Sequence, residues 1–357
     1  MRVIGIDPGT ISIDLCGLAD GQLFLDAAIP TELALADPAA FVARLIAAGP
    51  LDLVAGPSGY GLPLTRGHDL SDDALRLALL AAPEEGGGIG HLGTLLRALA
   101  ASPLPVVFTP GALHLPTVPE HRKINRVDLG TADKVCATAL AIVEQAARRQ
   151  CPLRDVSLIL LELGGAFTAA VAVAGGQIVD GIGGSSGPIG IRSAGALDGE
   201  VAFLADHVTK ALLFTGGAAA VAGDAVVDPD AFADPTSTRQ AVAWSAYLEG
   251  GCKAVAALTI SVPRPAEIIL SGRFARSASV YDAFAEQLRG IAPVRRLDGF
   301  AVVAKHAAQG AALIADGLAG GSNAALVDVL ALRRAAGSVL DHLYVISPDD
   351  ARRRIGL

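Results

Sequence analysis

Aromatic residues are scarce in this chain. Phe, Tyr and Trp make up 4% of its 357 residues, with one Trp and one Met, and alanine and glycine supply much of the bulk. Cysteine is as thin: Cys16, Cys136, Cys151 and Cys252 lie far apart in no CxxC pair, which excludes both a disulfide framework and a zinc site of ordinary spacing. Positive charge is not in excess. The net charge is -8, which argues against nucleic acid as the main partner, since phosphate backbones demand clustered Lys and Arg. Long apolar runs are also missing, despite a mean hydropathy of +0.49. Charge-free stretches such as ASPLPVVFTPGALHLPTVP at 101–119 are broken by Pro and Gly, and none reads as a membrane-spanning helix. The chain enters a strand at once, with no basic n-region or cleavage site, so no signal peptide is read. A soluble, cytoplasmic protein with no membrane partner is expected.

What is present is the material for a large core, 52% hydrophobic against 18% charged, and enough length for two domains at roughly 100–200 residues each. The first half reads β-β-β-α-β-α-β. Strands are predicted at Arg2–Ile6, Ser12–Leu18 and Gln22–Ala28, with Asp20-Gly21 as a hairpin turn. A helix at Pro38–Ala48, a buried strand at 51–58, helices at Asp72–Ala82 and Gly93–Ala101, and a strand at 103–111 follow. A helix over 131–149 carries an acid in its first turn and arginines in its last, as the helix dipole prefers. The order then repeats: strands at 155–165, 166–176 and 177–184, a helix at Ser237–Leu258, a strand at 266–272, helices at Ser277–Gly290 and Lys305–Gly317, and a short run at 292–297. This suggests a duplicated α/β unit. The expected division is an N-terminal domain over 1–130, an interdomain helix over 131–152, a C-terminal domain over 153–346 with an insertion at 185–235, and a surface tail over 347–357.

The chemistry begins at GIDPGT, residues 5–10, where a strand delivers Asp7 to a turn of Pro8, Gly9 and Thr10. A glycine turn that points backbone N–H groups outward can cradle phosphate oxygens. Asp7 is then placed to hold a hydrated magnesium ion, and the Thr10 hydroxyl to bond a phosphate. The same residues also suit an ordinary hairpin. The second half repeats the pattern in LELGGAFT, with Glu162, Gly164, Gly165 and Thr168. Near 268–277, IILSGRFARS ends a strand in Ser-Gly, so that Gly272 could admit a planar ligand and Arg273 could lie over a base or reach a phosphate. The polar stretch 121–134 offers His121, Arg122, Lys123, Asn125 and Arg126 for an anionic substrate, with Asp128 or Asp133 as proton acceptor or magnesium ligand, and Lys134 beside them. Ser58 and Tyr60, with His68 and Asp69, could line the substrate side. Other matches fail. GIGHLG at 88–93 follows Glu84 and Glu85 rather than a strand, GPSGY breaks the serine-elbow pattern at its last position, and His91, His207, His306 and His342 are isolated.

These loops, in this order, resemble the phosphate-one, phosphate-two and adenosine loops of the acetate and sugar kinase, actin and heat-shock ATPase superfamily. The segments GIDPGT, AGPSGYGLPL (55–64), HLPTVPEHRKINRVDLGTADKVC (114–136) and VDGIGG (179–184) are most similar to a family of archaeal and bacterial proteins described as predicted butyrate kinases. The resemblance implies two ribonuclease H-like domains with a cleft between them, closing on ATP and magnesium. Glu162 stands where many members have Asp, and Gly272-Arg273 where many have Gly-Gly. The expected activity is an ATP- and magnesium-dependent kinase acting on a small anionic molecule, a carboxylate among the candidates. The rivals are a nucleotide-gated ATPase that reports to a protein partner and a nucleotide sensor without turnover. The 185–235 insertion could serve as a homodimer contact or a lid.

Overall fold

The structure, a computed structural model, describes residues 1–81, 89–223 and 227–357. Glu84, Glu85 and the first glycine of GIGHLG lie outside the described residues, as do Ala82 and positions 224–226 of the insertion. Two compact units result. One comprises Met1–Val127, Thr131–Arg154 and Gly299–Leu357, the other Asp128–Gly130 and Asp155–Asp298.

The first unit is built on a sheet of β1 (Arg2–Pro8), β2 (Ser12–Ala19), β3 (Gln22–Pro30), β4 (Leu53–Pro57), β5 (Thr65–Arg66) and β6 (Val106–Thr109), in the order β3-β2-β1-β4-β6-β5. β1, β2 and β3 run as an antiparallel meander, and β1, β4 and β6 are parallel. Asp20 and Gly21 both have positive φ, +48° and +79°, the signature of the tight hairpin turn that matches strand twist. β1 and β2 are buried along nearly their whole length, which happens when both faces of a sheet are covered. Phe41, Val42 and Leu45 of the Pro38–Ala47 helix cover one side. The His306–Leu318 helix lies so close that a Cβ on Gly5 would stand 2.2 Å from the Ala308 carbonyl oxygen.

The second unit repeats the plan with β7 (Ser157–Leu163), β8 (Thr168–Ala174), β9 (Gln177–Ile182), β10 (Glu267–Ser271) and β11 (Val294–Arg296), ordered β11-β10-β7-β8-β9. Again the first three strands are an antiparallel meander, and the first pairs in parallel with the fourth. Several of the few aromatics gather here: Phe232, Trp244, Tyr247, Phe274 and Phe284 contact one another, mostly edge to face, the geometry ring quadrupoles favour.

Most of the expected helices start within a residue of the sequence reading, but the one expected at Gly93–Ala101 begins at Ile89. Ser237 caps Thr238–Leu258 in a box with Gln240, and Ser277 caps Ala278–Leu288 through the Val280 N–H. The domain limits differ from expectation. The helix expected between domains, observed as Ala132–Arg149, packs within the first unit, and residues 299–346 return to that same unit. There the two helices meet backbone to backbone, with Gly310 against the Cys136 carbonyl. The 185–235 segment is no bare excursion, because Ala218, Ala222 and Phe232 enter the second core. The turn-rich end holds a helix, Pro348–Arg354, and Ala351 and Ile355 pack near Leu113, Val339 and Leu340. Among the described residues no helix is long and apolar enough to cross a membrane.

Candidate active site

The two glycine turns share one geometry. In the first, the Gly9 N–H donates to the Ser12 carbonyl at 3.0 Å; in the second, the Gly164 N–H donates to the Phe167 carbonyl at 3.0 Å. Each bond spans three residues, and each glycine stands two residues after an acid at the end of a strand, Asp7 and Glu162. The expectation that these glycines point free N–H groups outward needs correcting at Gly9 and Gly164, because their donors close the turns. What remains at the tips is exposed Thr10 and Ile11 in one, and in the other open space at the Cβ position of Gly165.

Around the first turn lies a charged cluster made wholly of first-unit residues. Asp7 is buried at the end of β1, opposite buried Asp14 of β2. Burial and the neighbouring Asp133 carboxylate push Asp7 up to about 7, with Asp14 adding to the rise and the Lys305 and Lys134 ammonium groups opposing it. Asp133, in the first turn of the Ala132–Arg149 helix, goes the other way. Burial would raise it, but the Lys134 ammonium at 2.5 Å and the Thr131 hydroxyl hold it below the ordinary carboxylate range. Burial and nearby charge thus push two interacting carboxyls, buried Asp7 and half-buried Asp133, in opposite directions, and the protons belong to the pair.

Asp14 and Lys305 were not among the residues singled out from sequence. Asp14 accepts from the Ser12 hydroxyl at 2.6 Å and the Lys305 N–H at 2.8 Å, and ion-pairs with the Lys305 ammonium at 3.1 Å. An acid inside the apolar run ISIDLCG was the available signal for Asp14. Nothing local marks Lys305.

The polar stretch 121–134 does not act as one cluster. Asp128 belongs to the second unit, where its carboxylate accepts from the Gly130 N–H and from the Ser185 N–H and hydroxyl at 3.0–3.1 Å, while its carbonyl accepts from Ser186. Lys123 is buried with its ammonium on the Leu115 carbonyl, and the Asn125 side chain accepts from the Tyr344 and Val345 N–H groups. His121 and Arg126 are exposed, and Arg122 is half-buried. Ser58 is buried with its hydroxyl on the Thr109 carbonyl. The loop around Tyr60 does reach the acid pair, since the Gly59 carbonyl accepts from the Ala132 N–H one residue before Asp133. His68 and Asp69 pair with each other on the surface.

In the second unit Thr168 is fully buried, with its hydroxyl beside that of buried Tyr247, and among the described residues the buried Ser271 hydroxyl has no hydrogen-bond partner. The Thr168 oxygen therefore faces the core rather than the tip of the turn. The reading of Gly272 is also corrected. Its φ is +89°, and a Cβ there would lie 2.5 Å from the Leu163 carbonyl oxygen, so the missing side chain admits the β7 backbone rather than a planar ligand. Arg273 beside it is exposed.

Asp128→Ala removes the acceptor of three donors in a half-buried loop, at up to about 1–3 kcal/mol for each one left unpaired. A fall in melting temperature of roughly 5 °C or more is expected, with Asp128→Asn, which keeps an acceptor oxygen, closer to wild type. Loss of turnover in Asp128→Asn at an unchanged melting temperature would instead mark a chemical role.

Two α/β units with one strand order, each opened by a hairpin with an acid two residues before a turn glycine, make up the fold. Solved structures share it. A propionate kinase from Francisella tularensis superposes with a TM-score of 0.62 at 11% identity, covering 87% of this chain and 98% of that one. An acetate kinase from Entamoeba histolytica gives 0.60 at 11%, covering 81% and 87%. A ROK family protein from Streptococcus pneumoniae, crystallised with sucrose, gives 0.50 at 12%, covering 87% and 96%. The chain belongs to the family described as "Protein of unknown function (DUF1464)", whose profile matches residues 5–345. No curated protein matches it.

Proposed function

We propose that the chain is an ATP- and magnesium-dependent phosphotransferase acting on a small anionic acceptor of the carboxylate class. The observation that carries this reading is the repeated turn, in which an acid at a strand end precedes by two residues a glycine whose N–H bonds the carbonyl three residues on. Two of the similar structures are an acetate and a propionate kinase, which supports the acceptor class.

The residues fit a hydrated magnesium ion. Asp7 is a buried hard-oxygen donor raised to about 7 by burial and nearby acids, and Mg²⁺ is commonly held by one or two carboxylates together with waters and substrate phosphates. Asp7 would hold the ion, which would neutralise phosphate charge. Asp133, held below the ordinary carboxylate range by Lys134, keeps a second carboxylate beside Asp7. At the first turn Thr10 offers a donor for phosphate oxygens, and at the second, taken by itself, the Cβ position of Gly165 is open, while Arg122, His121 and Arg126 supply positive charge for the acceptor. Catalysis then rests on positioning and charge neutralisation more than on covalent chemistry.

Titration calorimetry with ATP, with and without magnesium, followed by a screen of small carboxylates and sugars, tests this. Magnesium-dependent binding is expected, with slow hydrolysis that gives way to transfer when the right acceptor is present. Hydrolysis that responds to a protein partner and to no small acceptor would overturn the reading, as would absence of binding.

A further inference from the structure

We propose that Lys305 is the phosphate-binding cation of the first glycine turn, and that Asp14 holds it there as a positioning residue. The proposal deepens the phosphotransferase reading and rests on it for the identity of the phosphate's carrier. Three observations carry it. The ammonium lies against the turn, at 2.6 Å from where a Cβ on Gly9 would stand. It is fastened from below, donating to the Ser12 carbonyl at 3.0 Å, the Ser12 hydroxyl at 2.8 Å and the Asp14 carboxylate at 3.1 Å. It is also reachable, since the Lys305 side chain is 40% exposed while its partner Asp14 is 1% exposed.

The backbone leading to Lys305 is fixed as well. The N–H groups of Val302, Val303 and Ala304 converge on the Asp26 carboxylate of β3 at 2.6–3.2 Å, and the Lys305 N–H goes to Asp14 of β2. Two adjacent strands thus lock the approach of a single cation to one turn. A lysine needed only to neutralise a buried carboxylate has no use for such a frame, nor for an ammonium kept at the surface. Tethered yet accessible, with the long stem typical of lysine, it can hand part of its hydrogen bonding to an arriving oxyanion at little cost in order.

Binding measured by calorimetry on the full chain separates the alternatives, with inorganic tripolyphosphate, MgADP and adenosine as probes. For Lys305→Ala the affinity for tripolyphosphate and MgADP should fall about 10- to 100-fold, the range of a lost charged hydrogen bond, with adenosine binding unchanged. Lys305→Arg should restore most of the loss. Asp14→Asn should weaken the phosphate probes less, and the double variant should match Lys305→Ala alone, because Asp14 acts through Lys305. On the unmodified protein, tripolyphosphate should protect Lys305 from acetylation as read by mass spectrometry, which keeps the test valid if a variant fails to fold. A folded Lys305→Ala with a lower melting temperature and unchanged affinity for MgADP and tripolyphosphate would overturn the proposal and leave the nucleotide reading standing. Lys305-dependent binding of tripolyphosphate without any binding of ATP would support it and remove that reading instead. Wild type that binds neither probe overturns both.

Discussion

Asp7→Asn is expected to lower magnesium-dependent phosphoryl transfer by on the order of 1000-fold while raising the melting temperature of the ligand-free protein at neutral and alkaline pH. The two effects share a cause. Asp7 sits where burial and the Asp133 and Asp14 carboxylates favour its neutral form, so its folded pKa is about 7 against about 3.9 in an unfolded chain. Between those values the folded protein holds the extra proton. The stability this group contributes is therefore complete below the unfolded value, declines as pH rises, and is gone above the folded value. Asparagine keeps the shape and carries no charge, so its advantage over wild type should grow from about pH 4 to about pH 7 and then level off. Melting curves of both proteins across that range check this. Equal pH slopes, or a variant less stable than wild type at pH 8, would show that Asp7 is not the destabilised group. In the functional arm, wild-type affinity for MgATP should drop below pH 7 as the carboxyl takes up its proton, and the variant should show no such step.

The pattern of this chain made some of that legible. Apolar runs and the Asp-Gly and Gly-Gly turns gave most strands and the longer helices to within a few residues, because each rests on local geometry. The two acid-bearing turns were visible for the same reason. Lys305 was not, since its partner Asp14 is 291 residues away and the strands that bring them together must first assemble. Asp128 and Asp133 looked like one cluster, being five residues apart, but the chain crosses from one unit to the other between them, and the Ser185–Ser186 loop takes Asp128. Gly272 shows the same limit in another form. A glycine after a strand announces close approach, and only the fold decides that the Leu163 backbone is what approaches.

Close approach of backbones also sets the largest expected effect on stability, at Gly310. A Cβ there would stand 1.8 Å from the Cys136 carbonyl oxygen and 2.5 Å from its carbon, atoms of the Ala132–Arg149 helix that cannot turn aside as a side chain can. Both helices are buried along most of their length, and Val135, Cys136, Ala139, Ala308, Ala311 and Ala312 are all fully buried. Relief would require the two helices to part, which loses the contacts on both sides of the seam. Gly310→Val should therefore cost at least about 3 kcal/mol, the upper end of overpacking penalties, and shift the urea midpoint followed by far-UV circular dichroism accordingly. Gly290→Ala is the matched control, because a Cβ there meets nothing within 4 Å among the described residues, and its effect should stay within about 0.5 kcal/mol. The seam also positions the charged cluster, since one of its helices begins beside Asp133 and the other beside Lys305. A folded Gly310→Ala should accordingly lose phosphate affinity along with stability, whereas Gly290→Ala should keep both. A Gly310→Val protein with a midpoint matching that of Gly290→Ala would mean that the two helices are free to separate, and that the charged cluster at their ends is not rigidly held.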